Sequence, residues 1–301
     1  MARRALRSNL VLGATGAVGR FLLPQLLARG ERVVGLSRDP QPQGAVEVEW
    51  LHGDLFGAAP PLLPAVDVIH SLGPLDAFAD WLPRLLDTQA HTPLRAALTR
   101  VVALSSMSAE SKQASIDAAE RELAARLTAA EQRLFACARE HAIACTILRP
   151  TLIYGGGRDA SLAPLARFAQ RWHVLPIPKG ACGLRQPVHA ADLATACLSA
   201  RDVAATVGNT YELGGGERLR FDEMFERIAS ASQALRVPIP LAFVRAGARL
   251  TRGRVGAGAL ARMTVDLLAD NAAAARDFAY APRAFTAADL AGPSHQEAAK
   301  Q

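Results

Sequence analysis

The sequence predicts an α/β fold with a doubly wound parallel sheet, and three observations support this prediction. A glycine-spaced turn lies between an apolar run and a helical pattern near the start of the 301-residue chain. Six short apolar stretches alternate with helical or loop segments, as strands joined by crossovers do. Half of the residues are hydrophobic, which is enough to bury a substantial core. Strands connected in this way pair in parallel and are covered on both faces.

The glycine-spaced turn follows the first apolar stretch, residues 10–12, and leads into a helical pattern over residues 18–29. Its glycines let the chain reverse out of a strand, let a pyrophosphate approach the backbone, and let the helix pack closely on the strand. The start of the helix adds free N–H groups and a partial positive charge. Alone, the turn is equally consistent with an ordinary strand-to-helix connection. The predicted phosphate-binding residues are Gly13, Thr15, Gly16, Ala17, Val18 and Gly19.

The remaining strand candidates favour the phosphate-binding interpretation of this turn. They are short, apolar and separated by helical or loop stretches, as in a Rossmann-type dinucleotide-binding sheet. They comprise residues 32–36, 46–51, 66–70, 100–105 and 143–148. The sequence therefore predicts a Rossmann-type dinucleotide-binding domain over residues 1–154.

The loop after the second strand is the place where this fold distinguishes NAD from NADP. An acidic residue there binds the free 2′-hydroxyl of NAD, whereas an arginine accommodates the 2′-phosphate of NADP. Ser37 ends the strand and Arg38 follows it, so the sequence favours NADP over NAD as the cofactor. Asp39 weakens this prediction slightly, and the alternative is that Arg38 is a solvated loop residue.

Two further loops are predicted to contact the same cofactor. The third strand ends in an acidic tip that suits an adenine edge, and the fourth is followed by small residues that can run beside the second ribose. The predicted contacts in these loops are Asp54, Leu55, Ser71, Leu72 and Gly73.

Beyond residue 154 the strand alternation loosens, and residues 155–301 are predicted to form mainly a smaller C-terminal substrate-binding lobe. Residues 188–213 are expected to return to the main sheet, with a strand at residues 210–213. The helices predicted after the first comprise residues 116–140, 161–172, 190–201, 221–235, 241–250 and 258–269.

The composition argues against several classes of partner. The net charge is +6, but arginine is spread along the chain and aromatic residues make up only 5%, so no nucleic-acid partner is expected. The four cysteines lack metal-ligand spacing and are interpreted as reduced thiols of a cytoplasmic protein. No apolar run approaches the ~18 residues that span a bilayer, so no membrane partner is expected. A small-molecule substrate is expected, and the oligomeric state is left open.

Eight short motifs follow one another along the chain. They are Gly13-x-x-Gly16-x-x-Gly19, Gly53-Asp54-Leu55, Ser105-Ser106, Leu148-Arg149-Pro150, Tyr154-Gly155, Val188-His189-Ala190-Ala191-Asp192-Leu193, Tyr211-Glu212-Leu213-Gly214-Gly215 and Phe221-x-Glu223-Met224. In this order they resemble the extended short-chain dehydrogenase/reductases, in particular the epimerase/dehydratase branch. The closing part is similar to atypical members like the mitochondrial complex I accessory subunit. The resemblance covers nearly the whole chain.

The resemblance implies a catalytic tyrosine and lysine one helical turn apart on the long helix after the fifth strand. There the lysine lowers the pKa of the phenol, which exchanges a proton with the substrate. With Ala130-Glu131 as the register, these two positions hold Leu123 and Leu127, which cannot transfer a proton. The resemblance also places Ser105 or Ser106 where a serine can hydrogen-bond a substrate carbonyl.

Two residues are candidates for the missing proton donor. Tyr154 follows the sixth strand, where the resemblance places the nicotinamide end of the cofactor. Lys112 lies on the loop that leaves the two serines and could reach back toward them. The alternative is that Tyr154 packs with its hydroxyl at the rim and that Lys112 is solvated.

Three residues near the predicted return to the sheet have alternative interpretations. Arg185 matches the position from which nucleotide-sugar epimerases contact a substrate phosphate, and a surface salt bridge is the equal alternative. His189 and Asp192 share one helix face. A metal site there would need further ligands, so helix capping and anchoring is the favoured interpretation.

Two functions from different classes remain open on this sequence. The first is an NADP-dependent oxidoreductase or epimerase-like enzyme that acts on a polar, possibly nucleotide-linked substrate. The second is a catalytically silent NADP-binding protein in which the cofactor is a structural or redox-sensing element of an assembly. Leu123 and Leu127 favour the second, and Arg185 favours the first.

Overall fold

The computed structural model describes residues 7–39, 47–157, 159, 161–243 and 263–290. Its strands in chain order are β1 (Ser8–Leu12), β2 (Arg32–Ser37), β3 (Glu49–His52), β4 (Val68–Ser71), β5 (Arg100–Leu104), β6 (Ala144–Pro150), β7 (Ile153–Tyr154), β8 (Val174–Lys179), β9 (Leu184–Arg185), β10 (Val188–His189), β11 (Thr210–Leu213), β12 (Leu219–Arg220) and β13 (Leu235–Pro240). The helices are α1 (Gly19–Ala28), α2 (Leu75–Thr88), α3 (Pro93–Ala97), α4 (Ser108–Ser111), α5 (Ala118–Glu140), α6 (Ala163–Trp172), α7 (Ala190–Asp202), α8 (Phe221–Ala231) and α9 (Ala272–Phe278).

The centre of the molecule is a seven-stranded sheet in the order β11-β6-β5-β4-β1-β2-β3. Every neighbouring pair in it is parallel. The central strands β1, β4 and β5 are short, largely apolar runs that are buried on both faces, which is typical of parallel sheets. The predicted α/β fold with a doubly wound parallel sheet is therefore confirmed.

Two apolar clusters cover the two faces of the sheet. On one face, α2 and α5 contribute Phe78, Trp81 and Leu134 to a cluster with β1 and β5. On the other, Leu22 of α1 and Leu193 of α7 pack against β1, β5 and β6. Because helices lie on both faces, the loops at the carboxyl ends of the strands are left to form a site at one edge.

The C-terminal half contributes both to the main sheet and to a separate apolar cluster. β11 pairs in parallel with β6, with Thr210 opposite Ile147. A third cluster joins α6, α8 and β8 around Leu175 and Met224. Among the described residues, none of the helices has the length and apolar character needed to cross a membrane.

Some of the predicted elements after residue 220 are wrong. The helix predicted over residues 221–235 ends at Ala231, because Gln233 has a φ of +53° and β13 follows with prolines at positions 238 and 240. Of the helix predicted over residues 258–269, residues 263–269 are described and are not helical. The described part of the chain does not include residues 258–262 of this predicted helix. It also does not include residues 244–250 of the helix predicted at 241–250.

Candidate functional site

The glycine turn between β1 and α1 requires glycine at its first and last positions. Gly13 has a φ of +77°, and a Cβ atom there would lie 3.1 Å from the backbone carbon of Leu72. A Cβ atom on Gly19 would lie 2.3 Å from the carbonyl oxygen of Ala14. The contact at Gly19 is too close for a side chain, and at Gly13 the left-handed backbone together with the tight contact favours glycine. The turn therefore holds the ends of β1 and β4 together and brings α1 against the strand.

The start of α1 faces this turn without a side-chain cap. Val18 occupies the N-cap position and makes no side-chain hydrogen bond, while the Gly16 N–H donates to the carbonyl of Gly13 at 2.9 Å. The first N–H groups of a helix have no partner within the helix, so this end suits an anion such as a pyrophosphate. Thr15 is exposed on the turn, and Ala17 lines the large cavity described below.

The end of β2 presents Arg38 to solvent. The Ser37 hydroxyl accepts a hydrogen bond from the Asp39 N–H at 3.0 Å, which fixes the start of the loop. Arg38 itself is exposed. Arg38 is therefore accessible at the strand end where this fold binds the adenosine ribose.

The loops after β3 and β4 meet beside the glycine turn. Leu55 packs on the core, and its Cδ1 would lie 3.5 Å from a Cβ atom on Gly73. Asp54 accepts the Phe56 N–H at 3.1 Å and so stabilises its own turn. Ser71 has no exposed surface, so the prediction that it contacts a cofactor is wrong for its side chain.

A cavity of about 890 Å³ opens beyond the start of α1, next to the ends of β5 and β6. Its wall includes three polar residues predicted from the sequence, Ser106, Lys112 and Arg185. The structure therefore brings these three together with Ala17 of the glycine turn. Apolar side chains such as Met107 contribute much of the remaining wall.

Ser105 belongs to a buried polar network, whereas its neighbour Ser106 lines the cavity. The Ser105 hydroxyl donates to Glu131 at 2.5 Å. Arg149 holds the same carboxylate through two hydrogen bonds of 2.9 and 2.5 Å, which raise the pKa of the guanidinium. Of the two predicted serines, only Ser106 is placed to meet a substrate, and its hydroxyl accepts the Ser108 N–H at 3.1 Å.

Tyr154 is not placed to donate a proton in the cavity. Its side chain is completely buried between the rings of His189 and Phe285, at centroid distances of 5.1 and 4.9 Å. Its hydroxyl donates to the Ala284 carbonyl at 3.3 Å and accepts the Thr286 N–H at 3.2 Å. Burial raises the pKa of the phenol to about 12. The predicted catalytic role of Tyr154 is therefore contradicted by its position.

Lys112, the other predicted donor, lies on the cavity wall beside an acid. Its Nζ is 3.5 Å from Oε1 of Glu120, whose other oxygen accepts the Ser115 hydroxyl at 2.7 Å. The positions that the resemblance assigns to the catalytic pair remain apolar. Leu127 packs against the core beneath the sheet, and Leu123 is half-buried on the same helix.

Arg185 is 4% exposed, so the surface salt-bridge alternative is wrong. Its guanidinium donates to the carbonyls of Leu184 and Val265 at 2.6 and 2.7 Å and lies 5.2 Å from the ring centroid of Phe221. These contacts hold the side chain in the cavity wall. A rigid guanidinium at this position has a shape suited to a phosphate or carboxylate.

The capping interpretation of His189 is confirmed, and Asp192 has an anchoring contact. The Nδ1 atom of His189 accepts the Ala191 N–H at 3.1 Å at the start of α7. Asp192 accepts hydrogen bonds from the backbone and side chain of Arg283, both at 2.9 Å. Within the described ranges, no cluster of three His, Cys, Asp or Glu side chains has the arrangement of a metal site.

Sequence reasoning missed Asp159, a buried carboxylate in the cavity wall. Its Oδ1 accepts the N–H groups of residues 161, 162 and 163 at the start of α6, at 3.1, 2.6 and 3.0 Å. Its Oδ2 is buried and has no hydrogen-bond partner among the described residues. An aspartate shortly before an amphipathic helical pattern is an N-cap signal, so the sequence contains the clue.

Comparisons with known proteins agree with this geometry. Residues 13–161 match the family described as NAD(P)H-binding. Two relatives are the mitochondrial NADH dehydrogenase (ubiquinone) 1 alpha subcomplex subunit 9 of Arabidopsis thaliana and of Dictyostelium discoideum. The Arabidopsis protein is 28% identical over an alignment of 264 positions that covers 79% of this chain and 62% of the relative. The Dictyostelium protein is 26% identical over an alignment of 254 positions that covers 78% of this chain and 67% of the relative.

A solved structure supports the fold over 95% of the chain. UDP-glucuronic acid 4-epimerase from Bacillus cereus, in complex with NAD, superposes with a TM-score of 0.68 at 15% identity. The match covers 95% of this chain and 96% of the epimerase. The chain therefore has the fold of this NAD-binding epimerase, and residues 13–161 match the NAD(P)H-binding family. The resemblance to a complex I accessory subunit agrees with the two curated relatives. The chain spans less than two thirds of the Arabidopsis relative's length.

Proposed function

We propose that this chain is a catalytically silent NADP(H)-binding protein, in which the cofactor is a structural or redox-sensing element of an assembly. The observation that carries the proposal is the apolar character of the catalytic positions. Leu123 and Leu127 stand where the resemblance to the short-chain dehydrogenase/reductases places the catalytic tyrosine and lysine. Tyr154, which follows the sixth strand, is bonded within the core.

The residues at the glycine turn fit a dinucleotide. Gly19 leaves no space for a side chain, Gly13 has a left-handed backbone, and the start of α1 offers uncapped N–H groups to a pyrophosphate. Arg38 supports NADP over NAD. A bound nicotinamide supplies hydride-transfer chemistry, while the protein must supply the proton. In the silent function the protein binds and orients the cofactor without moving a proton.

The names of the two curated relatives support a role in an assembly. Both are described as subunits of the NADH dehydrogenase alpha subcomplex. We extend to this chain only the idea that a cofactor-binding fold can serve as a subunit. The proposed function therefore includes a protein partner that binds this chain in the assembly.

The cavity supports a second candidate function, an NADP-dependent oxidoreductase or epimerase-like enzyme. Ser106, Lys112 and Arg185 lie on the wall of one cavity of about 890 Å³. In this function Ser106 would hydrogen-bond a substrate oxygen, Lys112 would supply the proton, and Arg185 would bind an anionic part such as a nucleotide phosphate.

A binding and turnover experiment distinguishes the two functions. NADPH is titrated into the protein and followed by nicotinamide fluorescence, and the complex is then offered a panel of carbonyl compounds and nucleotide sugars. We expect saturable binding and no turnover, with binding abolished in Gly19→Ala because its Cβ would collide with the Ala14 carbonyl. Turnover that disappears in both Ser106→Ala and Lys112→Met would instead support the enzyme.

The cofactor preference has a separate test at Arg38. Arg38→Ala removes a charged hydrogen bond to a 2′-phosphate, which is worth ~1.5–3 kcal/mol. The affinity for NADPH should fall by roughly 10- to 100-fold, and that for NADH should change little. Arg139→Ala is the matched control, because Arg139 is exposed near the end of α5, at the opposite edge of the sheet. An unchanged NADPH-to-NADH ratio in Arg38→Ala would show that this arginine does not select the cofactor.

A further inference from the structure

One face of the small sheet formed by β8 and β13 is apolar. The strands pair in parallel, with Val174 opposite Leu235 and Pro176 opposite Val237. Side chains at alternate positions of a strand share a face, so these four lie together. Leu235 is 69% exposed and Val237 37% exposed. Large aliphatic side chains that face solvent together mark an interaction surface more often than isolated ones do.

Helix α6, which leads into β8, carries exposed aromatic and basic side chains. Phe168 and Trp172 are 42% and 60% exposed, and the guanidinium of Arg171 lies 5.6 Å from the Trp172 ring centroid. Arg167 is exposed one position before Phe168. The end of α6 is tied to β13 by a hydrogen bond of 2.8 Å from the Leu235 N–H to the carbonyl of residue 173. We call the combined region the α6–β13 surface; it comprises Arg167, Phe168, Arg171, Trp172, Val174, Pro176, Leu235 and Val237.

The described segments that carry this surface, residues 161–191 and 227–243, contain no acidic residue. Arginine and lysine occur at four positions in the first segment and at two in the second. A surface that combines arginine with exposed aliphatic and aromatic groups is complementary to an anionic and partly apolar partner.

We propose that the α6–β13 surface docks the protein on an anionic lipid bilayer. Tryptophan and phenylalanine insert at the level of the headgroups, aliphatic side chains enter the acyl boundary, and arginines pair with lipid phosphates. Exposed leucine and valine favour lipid over nucleic acid, which binds through basic and stacking groups. The sequence-based expectation of no membrane partner rests on the lack of a spanning segment, and peripheral docking does not need one.

Vesicle flotation of the full chain tests this proposal. Vesicles of phosphatidylcholine alone are compared with vesicles that contain phosphatidylglycerol, at low and high salt. We expect the protein to float with the anionic vesicles, to remain unbound with the neutral ones, and to be released by salt. Failure to float with anionic vesicles at low salt would overturn the proposal.

Matched substitutions locate the contact. Arg167→Ala should lower the vesicle partition coefficient about fivefold, and Leu235→Glu should abolish flotation. Arg139→Ala and Leu62→Glu change equally exposed residues elsewhere and should leave flotation unchanged. Equal effects of the two leucine variants would overturn the assignment of the surface.

Gel filtration of the wild type and of Leu235→Glu tests whether a second copy of the chain occupies this surface instead. A dimer that only the wild type forms would identify that second copy as the occupant. NADPH binding is unaffected in either case, so this test is independent of the proposed function.

Discussion

At the scale of single residues, the two ends of the site present different chemistry. The glycine turn places backbone N–H groups and close contacts where a phosphate would lie, and Arg38 follows at the ribose end. At the reactive end, Ser105 donates to Glu131 in a network completed by Arg149. These groups hydrogen-bond one another, so the Ser105 hydroxyl is already engaged, and Ser106, Lys112 and Arg185 are the polar groups that remain on the cavity wall.

Tyr154→Phe separates a structural tyrosine from a catalytic one. The change removes the two hydrogen bonds with Ala284 and Thr286, and it should lower the free energy of unfolding by about 1 kcal/mol. NADPH affinity should not change, because the hydroxyl does not face the cavity. Urea unfolding and NADPH titration measure both quantities. Unaltered stability together with a loss of cofactor-dependent activity would contradict the structural role.

At the scale of elements, the C-terminal lobe shows how a local signal can be misread. Residues 221–235 have helical spacing, but the backbone turns left-handed at Gln233 and the chain continues as β13. The prolines of β8 and β13 suit a short two-stranded sheet, where few ladder hydrogen bonds are required. The partner strand lies about sixty residues earlier in the sequence, so no local pattern could identify the pairing.

Gln233→Gly tests the left-handed end of α8. A non-glycine residue at a φ of +53° carries a steric cost of ~1 kcal/mol, which glycine avoids. We expect the free energy of unfolding to rise by about 0.5 kcal/mol. The same change at Gln170, an exposed position within α6, should lower it by about 1 kcal/mol. Two losses of similar size would rule out this explanation of where α8 ends.

At the scale of the whole molecule, the sequence predicts the part of the fold that depends on local patterns. Apolar runs and glycine spacing predict the positions of the sheet strands, α1 and the glycine turn to within a few residues. The site was predicted in part: Ser106, Lys112 and Arg185 share one cavity, but the burial of Ser71 and Tyr154 depends on distant segments. Phe285, which packs on Tyr154, lies more than a hundred residues away.

The pH dependence of stability reports on a buried histidine in the central sheet. Burial, and then the charge of Arg201, lower the pKa of His70 from 6.5 to about 3. The unfolded chain therefore takes up a proton below about pH 6.5 that the folded protein does not bind. Stability present above this pH is lost as the pH falls, by about 1.4 kcal/mol per pH unit from this group.

His70→Gln should remove this contribution. Urea unfolding at several pH values between about 6 and 4 would show a shallower loss of stability in the variant than in the wild type. Only the change in unfolding free energy with pH is compared, so a difference in absolute stability between the variant and the wild type does not affect the result. Parallel slopes would mean that His70 is protonated in the folded protein.

The central claim is that the protein holds NADP(H) without reacting it, and the fate of the hydride tests this most directly. The protein is incubated with NADPH carrying deuterium at nicotinamide C4, together with the carbonyl and nucleotide-sugar panel, and the cofactor and substrates are analysed by mass spectrometry. We predict that the cofactor binds and retains its label, and that no substrate gains deuterium. Transfer of deuterium to any substrate, absent in Gly19→Ala, would contradict the claim and identify an enzyme.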